Sequence, residues 1–110
     1  MTKTLDEWAT EIYAWANEKG WWNEPRTVGD LLALMHSEIS EALEEYRDGH
    51  SVDRVYIAFD KPEGVPIELA DLIIRVLDFC KHYAINIEEV MEVKMAYNQK
   101  RPYRHGGKLL

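Results

Sequence analysis

The chain has one cysteine, Cys80, so it has no internal disulfide and no thiolate cluster for a metal. Cys80 lies among Leu77, Phe79 and Tyr83, a setting for a buried thiol rather than a nucleophile. No apolar run approaches the roughly 20 residues of a membrane span. The opening Met1-Thr2-Lys3-Thr4-Leu5-Asp6-Glu7-Trp8 has no apolar signal region. A soluble, cytoplasmic chain with no membrane partner is expected. His36, His50 and His82 have no ligand-like spacing, which argues against zinc, and no histidine follows a glutamate by three positions, as a di-iron carboxylate bundle requires. Glycine and proline are scarce, 6 and 4, and two of each fall within residues 48–66, which marks that stretch as the one irregular excursion.

What the chain has in abundance is acid, unevenly placed. Residues 1–93 hold 8 Lys/Arg against all 20 Asp/Glu, whereas residues 94–110 hold 5 Lys/Arg and no acid. An acidic body disfavours a nucleic-acid polymer as partner. A basic tail beside it suits an anionic ligand that travels with a divalent cation, such as a nucleotide with magnesium.

The 110 residues read as a single domain, 1–110, of all-α class. Thr4 with Glu7 forms a capping box, and Leu5, Trp8, Ala9, Ile12, Tyr13 and Ala16 repeat at helical spacing until Gly20, giving a helix over about residues 4–19. Thr27 with Asp30 starts a second helix, whose apolar stripe of Leu31, Leu34, Met35, Ile39, Ala42, Leu43 and Tyr46 ends near Asp48-Gly49. The excursion that follows holds the run Val55-Tyr56-Ile57-Ala58-Phe59 and reads as irregular or hairpin-like. From Ile67 to Tyr83 the chain is apolar on nearly every side and needs cover all round, which points to a homodimer or homotetramer. Asn86 with Glu89 caps a fourth helix, on which Val90, Val93 and Tyr97 are expected to pack, and a basic tail begins at about Pro102.

Two acidic pairs stand inside these apolar helices: Glu38 with Glu41, and Glu68 with Asp71. Carboxylates three residues apart share a helix face about 5 Å apart along the axis. Two such helices packed together bring four hard oxygen donors to one place, which is how a helical protein holds Mg²⁺. Taken alone, Glu38, Glu41, Glu44 and Glu45 read as a solvated acidic face. Glu68 and Asp71 shift that balance, because they interrupt the most hydrophobic helix and need a specific partner there; Arg75, four residues after Asp71, offers a simple ion pair as the competing explanation.

The pattern Glu-x-x-Glu then Glu-x-x-Asp, with 26 residues between Glu41 and Glu68, resembles the signature of the MazG-like all-α nucleoside triphosphate pyrophosphohydrolases. The likeness extends to His36-Ser37-Glu38-Ile39-Ser40-Glu41-Ala42-Leu43-Glu44, to Lys61-Pro62-Glu63-Gly64 leading into Ile67-Glu68-Leu69-Ala70-Asp71, and to Ile74-Arg75-Val76-Leu77-Asp78. It covers about residues 5–108 and departs at Ser37, where many members carry a further acid. The resemblance implies a four-helix MazG-like bundle that cleaves a (deoxy)nucleoside triphosphate to the monophosphate and pyrophosphate, and it suggests nucleotide-pool housecleaning as the role. It also implies Mg²⁺, with Mn²⁺ able to substitute, on Glu38, Glu41, Glu68 and Asp71. Glu41 or Glu38 would take the proton of the attacking water. Lys94 and Asn98, a turn apart on the last helix, correspond to family contacts with phosphates and sugar, and Arg101 or Arg104 is suited to grip a phosphate. The tryptophans read first as core or interface, Trp8 on the apolar stripe above all. Trp21 and Trp22, in the loop after Gly20, are the two placed to stack a base, and Trp22 is expected as a substrate contact. Rival readings are a hydrolase of a related anhydride, phosphoribosyl-ATP or a modified nucleotide, and a non-catalytic helical module that binds nucleotides or another chain.

Overall fold

The computed structural model describes residues 2–103; Arg104 and the rest of the basic tail lie outside them. Four helices appear in chain order, α1 (Leu5–Glu18), α2 (Val28–Arg47), α3 (Val65–His82) and α4 (Ile87–Gln99), with a hairpin of β1 (Tyr56–Ala58) and β2 (Lys61–Glu63) between α2 and α3. No described helix is long and apolar enough to cross a membrane.

Three of the four helices start where a side chain replaces a missing backbone acceptor. Thr4 Oγ1 accepts from Glu7 N at 3.1 Å while the Glu7 carboxylate accepts from Thr4 N at 3.0 Å, so two otherwise orphaned donors are satisfied together. Thr27 and Asn86 cap α2 and α4 by the first of these bonds alone, accepting from Asp30 N at 3.0 Å and Glu89 N at 3.2 Å. The chain leaves α1 through Gly20 at φ 83°, then makes a short 3-10 turn, Trp21–Asn23. Pro66 sits in the first turn of α3, where its lacking N–H costs nothing.

The hairpin is antiparallel, pairing Tyr56 with Glu63, Ile57 with Pro62 and Ala58 with Lys61. Its two turn residues, Phe59 at φ 52° and Asp60 at φ 64°, both take positive φ, as a tight hairpin requires, without the glycine that usually serves there. At its base Gly64 has φ 127°, and a Cβ there would stand 2.2 Å from the Arg54 carbonyl oxygen. Only glycine fits that crossing.

α3 is the central element, packed on α1 along one side and α2 along the other. The contact layer is built largely from small residues, with Ala9 and Ala16 of α1, Leu31 and Ala42 of α2, and Leu77 and Cys80 of α3 buried. Small side chains let helices approach closely, so the polar side chains along the α2–α3 seam are buried with them. Glu38, Glu68 and Asp78 are all at most 9% exposed. Cys80, at 5% exposure, is a buried thiol, and burial pushes its pKa up.

Several packing expectations are corrected here. Trp8 is 44% exposed rather than core. α4 buries no residue, and Val90, Val93 and Tyr97 are half or more exposed. The reason is position: α4 leans mainly on α1, with the Glu88 carboxylate accepting from Asp6 N at 2.9 Å, so most of its apolar stripe faces no other described element. Leu69, Ile73 and Ile74 likewise leave one side of α3 uncovered.

Candidate metal centre

Glu38 and Glu41 project from one face of α2 because they stand three positions apart, and Glu68 meets them from the first turn of α3. One carboxylate oxygen from each of the three lies within 4.8 Å of the others. Glu38 and Glu68 are each 6% exposed, while Glu41 opens to solvent. Arg75 Nε donates to Glu38 Oε1 at 2.9 Å. Arg75 is therefore the partner of a carboxylate on the neighbouring helix, not simply the i+4 partner of Asp71 that local spacing offers.

After that one hydrogen bond, Glu38 Oε2 and Glu68 Oε2 remain buried without a partner among the described residues. Ionised carboxylates only accept, so three of them cannot satisfy one another. A proton on one of them, a cation or a water molecule can supply what is missing. In the metal-free protein the protonated form of Glu68 is favoured: its pKa is pushed up to about 8, first by burial, then by hydrogen bonding to Glu41 and Glu38 and by their charge. Glu38, Glu41 and Glu68 would hold a divalent cation there, and its binding would compete with that proton.

Asp71 stands apart from this triad. It lies one turn along α3 and shares with Glu38 the wall of a cavity of about 490 Å³. Its pKa is raised by burial first and by the Glu38 charge next, with Arg75 and Lys61 pulling the other way. The same wall also carries Lys19, Trp21, Arg26, Arg75 and Asp78. The Arg26 guanidinium covers the Trp21 ring, 3.4 Å from its centroid, and Arg26 Nε donates to the Trp21 carbonyl oxygen at 2.9 Å. Sequence reasoning missed Lys19 and Arg26; the signal that could have found them is the cation on either side of the Trp21-Trp22 pair.

Trp22 does not line this cavity. Its ring stacks on His82 at 3.7 Å with an interplanar angle of 3°, and its Nε1 donates to Asp78 Oδ1 at 3.2 Å. Tyr13 completes the cluster through its hydroxyl, 2.9 Å from His82 Nδ1. Trp22 thus packs the far half of α3 and satisfies buried Asp78, whose pKa is raised by burial and lowered by that indole bond. Of the two loop tryptophans, Trp21 is the one at the cavity.

Lys94, Asn98 and Arg101 line neither of the two cavities that border the carboxylates. Lys94 Nζ instead lies 4.8 Å from the Tyr97 ring centroid, and the Arg101 guanidinium 5.7 Å from it. The cause is the docking of α4 against α1, away from the seam between α2 and α3. Arg104 lies outside the described residues. No family model, curated protein or solved structure matches the chain.

Proposed function

We propose that this chain is a Mg²⁺-dependent nucleotide pyrophosphohydrolase of the MazG-like kind, acting on a nucleoside triphosphate to give the monophosphate and pyrophosphate. The observation that carries the reading is the convergence of Glu38, Glu41 and Glu68 with two buried carboxylate oxygens that lack a partner among the described residues. These residues fit Mg²⁺, which takes oxygen donors and retains waters for substrate phosphates to replace. When bound, Mg²⁺ would neutralise phosphate charge and lower the pKa of water.

The chain's own residues divide the remaining work. Glu38 is engaged by Arg75 and Glu68 is buried, so Glu41, the exposed member of the triad, is the carboxylate placed to accept a proton from water. Asp71, offset from the triad, borders the same cavity as Glu38, on the side where the ligand would lie. Lys19, Arg26 and Arg75 offer positive charge to an anionic ligand in the same cavity, and Trp21 offers a ring face.

Lys94, Asn98 and Arg101 keep a phosphate and sugar role in this reading only through an oligomer, because they reach neither cavity within one chain; Arg104, outside the described residues, remains a proposed phosphate contact. The uncovered apolar side chains Leu69, Ile73 and Ile74 of α3 and Val93 of α4 support a homo-oligomer. Sedimentation at micromolar concentration tests it, and a stable monomer removes Lys94, Asn98 and Arg101 from the site. The reaction itself is tested by pyrophosphate release from a panel of ordinary and modified nucleoside triphosphates with and without Mg²⁺. Release that requires Mg²⁺ supports the assignment. Nucleotide binding without release would instead identify a non-catalytic nucleotide-binding module.

A further inference from the structure

Glu68 borders a second cavity, of about 380 Å³, on the hairpin side of the seam. Its wall carries six carboxylates, Glu41, Glu44, Glu45, Asp48, Glu63 and Glu68, and one cation, Lys61. Lys61 is 74% exposed and reaches Glu63 Oε1 at 3.6 Å, so its charge is largely screened by water. One oxygen each from Glu45 of α2, Glu63 of β2 and Glu68 of α3 lies within 4.8 Å of the others. Unlike a solvated acidic face, these side chains are enclosed, Glu45 to 15% exposure and Glu63 to 22%. The buried Glu68 Oε2, which has no partner among the described residues, belongs to a residue of this wall.

We propose that a second divalent cation is held between Glu45, Glu63 and Glu68, with Glu68 the carboxylate common to this position and the one formed with Glu38 and Glu41. Three carboxylates with no thiol among them select a hard cation, Mg²⁺, Mn²⁺ or Ca²⁺, whose remaining positions water fills. Glu45 is already held in place for this role. The Tyr56 hydroxyl reaches its Oε1 at 3.0 Å and its Oε2 at 2.9 Å, and His50 Nε2 stands 3.5 Å from Oε2. Such contacts fix the orientation of the Glu45 carboxylate and leave each oxygen a further lone pair for a cation. The three ligands come from three elements, so the cation staples the hairpin to both helices. That role goes beyond the proposed reaction, since it holds whether or not a nucleotide is cleaved.

The test is a Mn²⁺ titration of the full chain without nucleotide, counting bound ions by the loss of the free-ion EPR signal, together with amide exchange of residues 56–63. Two equivalents are expected in the parent and one in Glu63→Gln or Glu45→Gln. Mn²⁺ should slow hairpin exchange in the parent and in Glu41→Gln, and not in Glu63→Gln. A single equivalent in the parent that survives Glu63→Gln overturns the proposal, as does a Glu63→Gln chain that folds by circular dichroism and still binds two. A single equivalent lost in Glu63→Gln and kept in Glu41→Gln supports this position and counts instead against the metal centre of the proposed reaction.

Discussion

The two sides of the α2–α3 seam differ in kind. Towards the hairpin the wall is nearly all carboxylate, with Glu41, Glu45 and Glu63 around the end of Glu68. Towards α1 it is mixed, with Lys19, Arg26 and Arg75 and the carboxylates Glu38, Asp71 and Asp78 beside Trp21 and the apolar Ile12 and Ile74. Glu38 belongs to both through its triad with Glu41 and Glu68 and its bond to Arg75. A ligand that combines metal-bound phosphates with a flat apolar part has complementary chemistry on the two sides, and neither side alone supplies it. The difference is in what accompanies the carboxylates: one cation, Lys61, on the hairpin side, and three cations with aromatic and apolar side chains on the α1 side.

The largest effect that would break this division is catalytic. Glu41→Gln removes one charge from the acidic side at constant shape and should lower Mg²⁺-dependent pyrophosphate release by about 10²-fold or more, with the circular dichroism spectrum unchanged. Parental turnover at saturating Mg²⁺ would leave the acidic side without a reaction. Next in size is the link between the sides. Arg75→Ala strands Glu38 in the interior and should cost the metal-free protein about 2 kcal/mol in urea unfolding. Mg²⁺ should recover part of that loss, and an equal loss with and without the ion would show that Arg75 and the cation do not act on the same carboxylate.

A third effect follows from Glu68, whose folded pKa of about 8 lies above its ordinary value of 4.5. Its protonated form favours the fold, so this contribution is complete below about pH 4.5, and metal-free stability falls as pH rises through about 8. Mg²⁺ should flatten that fall, measured as Tm between pH 5 and pH 9. A metal-free Tm that rises over this interval would contradict the burial of Glu68 beside two acids. The smallest effect belongs to the aromatic side: Trp21→Ala should raise KM about fivefold with kcat little changed, as expected for loss of one ring contact. Trp22→Phe, away from the cavity, should leave KM within about twofold of the parent. A larger change for Trp22 than for Trp21 would reverse the placement of the two rings.

Much of the backbone was legible because its signals are local. The capping residues Thr4, Thr27 and Asn86 and the stop at Gly20 each depend on neighbours within a few positions. The meeting of Glu38, Glu41 and Glu68 was legible in part, from spacing on two helices that had to pack. The offset of Asp71 was not, because it depends on the relative rotation of α2 and α3, which spacing within either helix does not encode. Arg75 misled for the same reason: Asp71 competes for it at i+4, while Glu38 lies on another helix 37 residues away in sequence. The hairpin turn was hidden because Phe59 and Asp60 occupy positions where Asn-Gly would announce it. The exposure of α4 was hidden too, since an amphipathic stripe does not say which surface covers it.

Gly64 gives the hairpin one further property. Because the chain returns there against the Arg54 carbonyl, residues 55–63 form a lasso whose neck is closed independently of its length. The tip, with Phe59 fully exposed, is therefore a place where foreign sequence can be spliced in without altering the entry of the chain into α3. A fluorophore, a peptide tag or a small folded insert at Phe59-Asp60 would ride on the molecule as a reporter, its mobility registering from outside whatever tightens the loop beneath it.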